Sequence, residues 1–554
     1  MSDARAGRDD AALRALLAAA EPRAARPLGG LVERLAAAGR LRGDVAPTAR
    51  GRAVSGIAYD SRRVVPGSVF VAVPGAHVDG HDFVARAVAA GAVAVVVEHV
   101  VDDAGPAIEL VVDRGQLALA DVAAWWYEDP GRGLGVIGVT GTDGKTTTAA
   151  MAVAALEAAG VRTGLVSTSD QRIGGQRAVT PAHVTTPEAP ELQRALRAMV
   201  GAGDAAAVLE TTSHGLALER VGQIPYDVAI LTNLTHEHLE LHGTFEAYRA
   251  AKCSLFERLV GDPGSSPKPA SLPEGRPWPR GGIVNLDDPS AGTFAAATRA
   301  AGATLLTYGI DKDADVRATA IGETPAGIRA TVTTPRGAME LTLPLIGRFN
   351  VHNALAVVAL GELLRLDAAA VRRGLAGFTG VRGRMERIDR GQPFLVVVDY
   401  AHTPASLATA LDALAPLAGP GAGLVAVFGS AGERDVAKRA IQGREAGERC
   451  RLVVATDEDP RGEDPVAILE QIAIGAEAAG RRRGEDLLLI PDREAAIRAA
   501  FGRARPGDVV LLAGKGHERE ILYADHELAW DERAVAERLL ADMGFATGGD
   551  PAPS

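Results

Sequence analysis

The sequence has 554 residues, a length typical of three or four domains that each bury a core of their own. Hydrophobic residues make up 47%, charged residues 23% and aromatic residues 4%, which excludes a disordered or fibrous chain. The 59 basic and 70 acidic residues give a net charge of −11. Because nucleic-acid phosphates attract a basic surface, this balance argues against nucleic acid as a partner.

Cysteine usage and hydropathy favour a cytoplasmic protein. The two cysteines, Cys253 and Cys450, are too few for a disulfide framework, and neither belongs to a CxxC pair. The longest apolar stretch, 87–97, is much shorter than the roughly 20 residues of a membrane helix. The first residues show no signal-peptide pattern, so we expect no membrane insertion.

Lysine is rare in this chain. Most of the 59 basic residues are arginine, and lysine occupies only positions 145, 252, 268, 312, 438 and 515. A lysine that such a chain retains indicates that its position requires a primary amine.

The N-terminal part predicts an extension followed by a small domain. Residues 1–26 form an extension rich in Arg, Asp and Ala, with a short amphipathic helix predicted at 11–20. Between 27 and 131, β-rich runs at 68–73 and 92–98 flank a helical stretch. This pattern predicts a small α/β domain.

The segment 132–382 predicts a mostly parallel sheet. Apolar runs at 134–140, 205–210 and 227–232 are separated by helical stretches, which is the alternation of a parallel α/β sheet. Residues 262–281 are dense in Pro, Gly and Ser and predict a surface insertion without regular structure.

Polar residues stand at the ends of these three runs. Thr140 and Glu210 end their runs, and Asn233 directly follows the third. Because ligands of open α/β sheets bind beyond the carboxyl ends of the strands, we expect these three side chains to converge on one crevice. We predict the active site there.

The strongest local motif is TGTDGKTTT, residues 140–148, between a predicted strand and a predicted helix. Small residues let backbone amides approach phosphates, the helix N-terminus favours anions, and Lys145 neutralises charge. Thr146 can bind a Mg²⁺ ion that accompanies the phosphates. The motif lacks the first glycine of the strict G-x-x-x-x-G-K-[ST] pattern.

A second motif, residues 233–256, is dense in His and carboxylates and contains Lys252. Alone it is compatible with a zinc site, but the H-E-x-x-H pattern fails because Glu240 stands where the second His belongs. A hard-cation site shared with phosphate, with Glu210 and His238 as ligands, is the preferred interpretation.

The segment 383–545 predicts a second doubly wound domain, and 546–554 a polar tail. Its five strand-like runs each end in Asp or Gly and lie at 395–399, 424–429, 452–457, 487–492 and 509–514. Loops suited to carry binding or reactive residues therefore lie along one edge of this sheet.

Taken together, these motifs resemble the Mur ligase family. They occur in the order of that family, over about 50–540, and are TGTDGKTTT, TTPEAPELQ, ETTSHGLALER, TNLTHEHLELHGTFEAYRAAK, GRFNVHN, GRMER, DYAHTP, GERDVAKR and GKGHE. The N-terminal stretch 56–83 resembles the UDP-binding domain of the members that add the third peptide residue.

The resemblance implies an α/β fold with three domains. These are a small N-terminal UDP-binding domain, a central P-loop-like parallel-sheet ATPase domain and a C-terminal doubly wound, Rossmann-like domain. It implies an ATP-dependent ligase of peptidoglycan precursor synthesis, which joins a diamino acid to the D-Glu γ-carboxylate of UDP-MurNAc-L-Ala-D-Glu through an acyl phosphate. Mg²⁺ is the implied cofactor, and we take a monomer as the default state.

The resemblance also implies roles for individual residues. The catalytic residues would be Lys145, Glu210, His238 and Lys252, with Lys252 carbamylated by CO₂ to N6-carboxylysine. The metal ligands would be Thr146, Glu210, His238 and Lys252. The ATP-binding residues would be Thr140, Gly141, Thr142, Asp143, Gly144, Lys145, Thr146, Thr147, Asn350, Asn353, Arg384 and Asp399. The UDP-MurNAc-dipeptide contacts would be Ser61, Arg62, Thr185, Thr186, Thr212 and Arg220. The diamino acid contacts would be Arg434, Asp459, Arg461, Gly514 and Glu518.

One departure from the family leaves the diamino acid open. Members that add meso-diaminopimelate carry the motif DNPR, whereas residues 458–461 are Glu-Asp-Pro-Arg. Asp459 would favour an ammonium and repel a carboxylate, while Arg461 does the opposite. Diaminopimelate is the preferred substrate, with L-lysine or L-ornithine as alternatives. Another ligase of the superfamily, or a catalytically silent nucleotide-binding protein, are the competing functions.

Overall fold

The computed structural model describes residues 2–75, 78–102, 104–179, 185–235, 239–260, 268, 272–324 and 326–545. The chain forms two compact units. The first comprises Met1–Thr319, Val332–Met339 and His352–Leu375, and the second comprises Ala320–Thr331, Glu340–Val351 and Ala376–Ser554. No helix in the described ranges has both the length and the apolar character needed to cross a membrane.

The N-terminal extension is a helix packed on the first unit. Helix α1 (Ser2–Ala19) starts nine residues before the predicted helix at 11–20. Leu13 and Ala20 are buried in one apolar cluster with Ile173 and Met199 of the large sheet region. The extension thus contributes to the core of this unit.

A small parallel sheet follows. Its strands have the order β3-β4-β5-β6 and neighbouring strands are parallel, while β1 and β2 form a separate antiparallel pair. The elements are β1 (Arg26–Pro27), α2 (Leu28–Ala37), α3 (Pro47–Arg50), β2 (Ala53–Val54), β3 (Gly56–Ala58), β4 (Ser68–Val71), α4 (Val84–Ala89), β5 (Ala94–Val97), β6 (Ile108–Val111) and α5 (Gly115–Trp126). The predicted runs at 68–73 and 92–98 are β4 and β5.

The large sheet of the first unit has the strand order β10-β9-β8-β11-β7-β12-β13-β14. The six strands from β8 to β14 in this order are parallel, and β9 and β10 form an antiparallel hairpin at the edge. The elements are β7 (Gly135–Thr140), α6 (Lys145–Ala158), β8 (Thr163–Val166), β9 (Asp170–Ile173), β10 (Gln176–Val179), α7 (Ala189–Ala202), β11 (Ala206–Glu210), α8 (Ser213–Ala217), β12 (Val228–Leu231), α9 (Leu239–His242), α10 (Phe245–Glu257), β13 (Gly281–Asn285), α11 (Ala291–Ala300) and β14 (Thr304–Gly309).

The position of β7 determines where a ligand can bind. All residues of β7, β11 and β12 are buried, as in parallel strands that are covered on both faces. Strands β11 and β12 flank β7 on opposite sides, so the loop after β7 lies at the point where the strand order reverses. Open α/β sheets bind their ligands at this point.

The described part of the predicted insertion is anchored to the first unit. Of its residues, Lys268 and the segment from Leu272 onward are described, with a short 3₁₀ turn at Pro273–Gly275 and strand β13 from Gly281. Lys268 Nζ lies 2.6 Å from Asp227 Oδ2, and both side chains are largely buried. This ion pair fixes the segment next to the start of β12.

Three strands and one helix have residues in both units. These are β15 (Val316–Thr324), β16 (Gly327–Thr334), β17 (Gly337–Leu343) and α12 (Phe349–Leu363), whose residues are divided between the units. Helix α13 (Ala368–Ala376) follows. The first residues of β15 pair in parallel with β14.

The second unit contains a six-stranded sheet with the order β18-β19-β23-β20-β21-β22. Only β18 is antiparallel to its neighbour, so this is the doubly wound domain predicted from 383–545. The elements are β18 (Glu386–Ile388), β19 (Leu395–Asp399), α14 (Pro404–Leu414), β20 (Leu424–Phe428), α15 (Ala437–Arg449), β21 (Cys450–Ala455), α16 (Pro465–Ala478), β22 (Leu487–Leu489), α17 (Arg493–Arg503), β23 (Val509–Ala513), β24 (Glu520–Leu522), β25 (Glu527–Ala529) and α18 (Glu532–Asp542). The predicted tail at 546–554 lies outside the described residues.

Candidate active site

The loop between β7 and α6 depends on two glycines. Gly141 has a φ of 148°, and a Cβ there would lie 1.9 Å from Thr232 Oγ1. Gly144 has a φ of 78°, and a Cβ there would lie 2.4 Å from Asn353 Oδ1. Both positions therefore exclude any side chain, and the backbone of the loop stays accessible for close approach.

The residues after β12, the neighbour of β7 in the sheet, fix this loop. The Asp143 N–H donates to Asn233 Oδ1 (2.9 Å), and the Thr142 N–H donates to the Asn233 carbonyl (2.7 Å). Thr232 Oγ1 donates to the Asp143 carbonyl (2.6 Å). The residues after β12 thus hold the residues after β7, and the predicted approach of Asn233 to the motif is confirmed.

The N-terminus of α6 has the properties of an anion site. Its N-cap residue is Gly144, and among the described residues no side chain caps the helix. Lys145 and Thr147 lie in the first turn, and Lys145 Nζ donates to the Thr142 carbonyl (2.6 Å). The partial positive charge of the helix end and this ammonium group act on the same loop.

Glu210 joins this loop from β11. Thr146 Oγ1 donates to Glu210 Oε1 (2.9 Å), and the Thr168 N–H donates to Glu210 Oε2 (2.9 Å). Glu210 is 3% exposed. The buried Thr140 Oγ1, on β7, has no hydrogen-bond partner in the described part of the chain. The three predicted run ends therefore converge at the carboxyl edge of one sheet.

The oxygen atoms of Thr146 and Glu210 fit a hard cation such as Mg²⁺. His238, the third predicted ligand, lies outside the described residues. Among the residues that the structure describes, no group of three or more His, Cys, Asp or Glu side chains is placed to hold a metal ion.

Lys252 reaches the loop from the interior of α10. Its Nζ donates to the Gly141 carbonyl (2.7 Å) and lies 4.7 Å from the centre of the Tyr248 ring. The side chain is 2% exposed. The Tyr248 hydroxyl is in turn 3.0 Å from Thr142 Oγ1. A buried amine is thereby placed directly beside the loop between β7 and α6, residues 141–144, which is the candidate phosphate-binding loop.

Threonines and an arginine form a hydrogen-bonded group beside Glu210. Thr186 Oγ1 donates to the Glu210 carbonyl (2.9 Å) and lies 3.0 Å from Thr212 Oγ1. Arg220 donates to the Thr186 carbonyl (3.1 Å). Thr185 Oγ1 lies 2.9 Å from Thr168 Oγ1, which also contacts Glu210. The structure therefore brings together four of the six residues predicted for the sugar-peptide substrate.

The other two, Ser61 and Arg62, lie in the small N-terminal sheet region. Ser61 is buried at the start of a short 3₁₀ turn. The Arg62 guanidinium pairs with Asp60 (2.8 Å), is 74% exposed, and holds the pKa of Asp60 down at about 2.

The two asparagines of GRFNVHN have different surroundings. Asn353 Oδ1 accepts a hydrogen bond from Thr148 Oγ1 (3.1 Å), so it contacts α6. Asn350, which belongs to the second unit, donates to the Ile346 carbonyl (2.8 Å). Both side chains are buried. Their contacts with ATP remain predictions.

Asp399 organises the Gly383–Met385 turn of the second unit. Its Oδ2 accepts from the Met385 N–H (2.7 Å), and the Arg384 guanidinium stacks 4.6 Å from the centre of the Tyr400 ring. The Tyr400 hydroxyl lies 3.4 Å from Glu518 Oε1. Burial raises the pKa of Tyr400 well above its usual range. The candidate nucleotide contacts are thus linked to Glu518.

The candidate amino-acid contacts after β21 and β23 form a buried ion-pair group. Lys515 Nζ lies 2.8 Å from Asp459 Oδ1 and 2.7 Å from Glu518 Oε2. Lys515 is 1% exposed and Asp459 is 8% exposed. A Cβ on Gly514, which has a φ of 101°, would lie 2.8 Å from Glu458 Oε2. Asp459, Gly514 and Glu518 are therefore close together, as predicted.

Arg461 borders an open cleft of about 460 Å³, within the range of small-molecule sites. Its backbone is left-handed (φ 54°), and its N–H donates to the Leu522 carbonyl (2.9 Å). The segment from Leu522 to Glu527 lines the rest of the cleft. Arg434 instead lies exposed on the loop before α15.

Three residues near the candidate amino-acid contacts were not identified from the sequence. Glu458 is buried, its Oε2 accepts no hydrogen bond from a described residue, and burial raises its pKa. Arg493 is 2% exposed and donates to the carbonyls of Asp457 (2.9 Å), two residues after β21, and Ala513 (2.7 Å), the last residue of β23. Lys515 had two signals, its place among the six lysines and its position in the GKGHE motif. Arg493 had none, because its partners are distant in the sequence.

Family models match three consecutive segments of the chain. They are the Mur ligase family, catalytic domain at 53–124, the Mur ligase middle domain at 139–361, and the Mur ligase, glutamate ligase domain at 383–516. These segments contain the small sheet, the phosphate-binding loop and the doubly wound sheet respectively.

Relatives match along nearly the whole length. The chain is 48% identical over 499 residues to the UDP-N-acetylmuramyl-tripeptide synthetase of Roseiflexus sp. (strain RS-1), covering 89% of this chain and 95% of the relative. It is 39% identical over 506 residues to the UDP-N-acetylmuramoyl-L-alanyl-D-glutamate–2,6-diaminopimelate ligase of Solibacter usitatus (strain Ellin6076), covering 90% and 96%. A solved structure of such a 2,6-diaminopimelate ligase superposes with a TM-score of 0.64 at 27% identity, covering 94% of this chain and 99% of the other.

Proposed function

The chain belongs to the Mur ligase family, and we propose that it is an ATP-dependent amide ligase that joins meso-diaminopimelate to the D-Glu γ-carboxylate of UDP-MurNAc-L-Ala-D-Glu. The name of the Solibacter usitatus relative supports this substrate pair. The observation that carries the proposal is the convergence of Lys145, Thr146, Glu210 and Lys252 on the loop after β7. This arrangement suits phosphoryl transfer from ATP.

Separate groups of residues bind the phosphates, the nucleotide sugar and the amino acid. The amides of the loop and the N-terminus of α6 bind the phosphates, and Lys145 neutralises their charge. The group of Thr186, Thr212 and Arg220 orients the peptide part of the nucleotide sugar. Arg461 binds a carboxylate of the amino acid.

The reaction has two steps. An oxygen of the γ-carboxylate attacks the γ-phosphorus of ATP, the bond to ADP breaks, and an acyl phosphate forms. The amine of the diamino acid then attacks the acyl carbon, loses a proton, and phosphate leaves from the tetrahedral intermediate. Because charge builds up on phosphoryl oxygens in the first step, cations fixed in the site stabilise it most.

Thr146 and Glu210 would hold Mg²⁺, which supplies positive charge at the phosphate oxygens. Lys252 would add a ligand by carbamylation: its neutral amine bonds to the carbon of CO₂ and releases one proton, leaving an anionic carbamate. The burial of Lys252 beside the Gly141 carbonyl supports this assignment, because the loop is where the ion would be needed. Arginine at this position would form no such carbamate.

The proposal is tested by ATP-dependent phosphate release from purified protein and UDP-MurNAc-L-Ala-D-Glu. Meso-diaminopimelate, L-lysine and L-ornithine are offered separately, and each product is identified by mass. Substrate labelled with ¹⁸O in the γ-carboxylate should transfer one labelled oxygen to the released phosphate, since the acyl phosphate keeps that oxygen. UDP-MurNAc-L-Ala, which lacks D-Glu, is the matched control and should release none.

Each alternative predicts a different result. ATP binding without phosphate release under any condition would indicate a silent nucleotide-binding protein. Turnover with a folate or an aspartate polymer, and none with the nucleotide sugar, would indicate another ligase of the superfamily. Turnover with lysine or ornithine alone would keep the ligase and exclude diaminopimelate.

A further inference from the structure

Asp459 is held by two hydrogen-bond donors. Its Oδ1 accepts from Lys515 Nζ (2.8 Å) and from the Leu522 N–H (3.0 Å). Lys515 is 1% exposed, so this is a buried ion pair from which water is excluded. Lys515 Nζ also pairs with Glu518 Oε2 (2.7 Å), but the Glu518 side chain is 23% exposed whereas that of Asp459 is 11% exposed. Removal of the ammonium would therefore leave Asp459 as the more buried uncompensated anion.

The same residue, Leu522, connects this pair to Arg461. The Leu522 N–H bonds Asp459, and the Leu522 carbonyl accepts from the Arg461 N–H (2.9 Å). Arg461 lines the cleft formed with Leu522 to Glu527, and its buried Nε donates to no described residue. The charges of the Asp459–Lys515 pair therefore affect the immediate surroundings of Arg461, the cationic side chain of the cleft.

A guanidinium group binds a carboxylate strongly when no other anion competes for it. An unpaired Asp459 would compete, and in a buried site it would also repel an incoming carboxylate. The other acids of the cleft, Asp525 and Glu527, are exposed, where water and salt screen their charges. The buried pair is thus the part of the site that decides its electrostatic preference.

We propose that Lys515 is a specificity-determining residue, which cancels the charge of Asp459 so that Arg461 can bind the second carboxylate of a diamino dicarboxylic acid. The inference rests on the proposed ligase function and goes further by explaining which amino acid is accepted. With Lys515 in place, the charge of Asp459 is balanced within the buried pair, so Asp459 acts mainly as a hydrogen-bond acceptor, much as an asparagine would, while the remaining negative charge lies on the more exposed Glu518. Amino acids that lack the second carboxylate, such as L-lysine, gain nothing from this arrangement.

The test is a double-mutant cycle with Lys515→Met, Asp459→Asn and the double variant. The ratio of kcat/KM for meso-diaminopimelate to that for L-lysine is measured at saturating ATP and nucleotide sugar. We expect the wild type to prefer diaminopimelate and Lys515→Met to lower the ratio at least tenfold, through a higher KM for diaminopimelate. The double variant should recover most of the ratio, because Asp459→Asn removes the buried carboxylate that Lys515→Met leaves without its cation, and the Glu518 carboxylate that remains is the more exposed of the two.

The KM for ATP separates this role from a general structural one. It should stay within about twofold in all three variants, whereas damage to the fold would raise it together with the KM for the amino acid. Lys312→Met, at an exposed lysine of the first unit, is the matched control and should keep the wild-type ratio. If Lys515→Met does not fold, the double variant alone still decides, since the inference requires it to prefer diaminopimelate.

Several results would overturn the inference. They are a wild type that prefers lysine, an unchanged ratio in Lys515→Met, and a double variant without recovery. Absence of turnover with every amino acid in the wild type would instead contradict the proposed ligase function. The two failures are therefore distinguishable in one set of assays.

Discussion

Most of the six lysine side chains of this protein are buried or form hydrogen bonds to the core or to the candidate site. Lys252 and Lys515 are almost fully buried, and Lys145 and Lys268 donate to atoms of the core or the phosphate-binding loop. Lys312 is exposed. The rarity of lysine was thus an informative feature of the sequence, although it did not distinguish the catalytic candidates from Lys268, which anchors an insertion.

Replacement of Lys252 tests the carbamate. We expect Lys252→Ala to lower kcat at least a hundredfold, because the variant lacks the anionic ligand that the carbamate would supply. Short carboxylic acids such as acetate should restore part of the activity by entering the space left by the side chain. Full activity in Lys252→Ala would contradict the assignment.

Two controls accompany this measurement. Lys252→Arg keeps the positive charge and forms no carbamate, so it should be inactive and should not respond to acetate. Lys312→Ala should keep wild-type activity in both conditions. A response of Lys312→Ala to acetate would show that the rescue is not specific.

Asp457 gives the protein a pH-dependent stability. Burial raises the pKa of its carboxyl to about 6, even though the Tyr523 hydroxyl donates to it (3.1 Å). The folded state therefore binds this proton more tightly than the unfolded state does. Between about pH 4 and pH 6 the folded chain carries more protons, and the contribution of Asp457 to stability falls as the pH rises.

Asp457→Asn removes this titration. We expect the difference in Tm between the variant and the wild type to shift in favour of the variant from pH 4 to about pH 6.5 and to stay constant above it. Thermal denaturation across this range, followed by circular dichroism, measures the difference. A difference that does not change with pH would contradict the raised pKa.

At the scale of elements, apolar runs predicted the parallel strands well. All ten runs named from the sequence contain a strand, because buried strands of a parallel sheet need continuous apolar residues. The short hairpins β9–β10 and β24–β25 were not predicted, since their residues are mixed and partly exposed. Register and neighbours came from the structure alone.

The sequence likewise predicted only part of the candidate site. Motifs located the phosphate-binding loop, Glu210 and Lys252, because function requires particular residues at close spacing there. The Lys515–Asp459 pair joins residues 56 positions apart. No local pattern in the sequence contains such a contact, and its effect on Asp459 reverses the charge argument that the sequence alone suggested.

Helices α15 and α16 pack through glycines. A Cβ on Gly475 would lie 1.7 Å from the Ala440 carbonyl oxygen, and one on Gly443 would lie 1.9 Å from that of Ile472. We expect Gly475→Ala to destabilise the second unit by about 1–3 kcal/mol, a typical cost of overpacking. Gly502→Ala, in α17 with open space around it, should instead stabilise by about 0.5–1 kcal/mol.

Urea denaturation of the two variants measures these opposite effects. Because both substitutions add one methyl group to a helix of the same unit, the comparison isolates the close approach of α15 and α16. Equal stability of Gly475→Ala and the wild type would show that the helices can separate without cost.

At the scale of the whole molecule, each compact unit has its own core. The cluster that contains Leu13 belongs to the first unit, and the clusters on either face of the six-stranded sheet belong to the second. The phosphate-binding loop lies in the first unit, whereas the Asp459–Lys515 pair lies in the second. The loop proposed to bind ATP and the residues proposed to select the amino acid are therefore built on separate cores.

This division predicts how substitutions change thermal unfolding. Arg493 is buried and pairs with the buried Glu532 (2.8 Å), so Arg493→Met leaves an uncompensated anion and should cost the second unit about 3–5 kcal/mol. Leu13→Ala should cost the first unit about 2–5 kcal/mol through lost burial and a cavity. In differential scanning calorimetry, each variant should lower the transition of its own unit and leave the other transition in place. Arg493→Met combined with Glu532→Leu should recover stability, because neither charge is then buried alone, and an equal shift of all transitions in either single variant would contradict the assignment of separate cores.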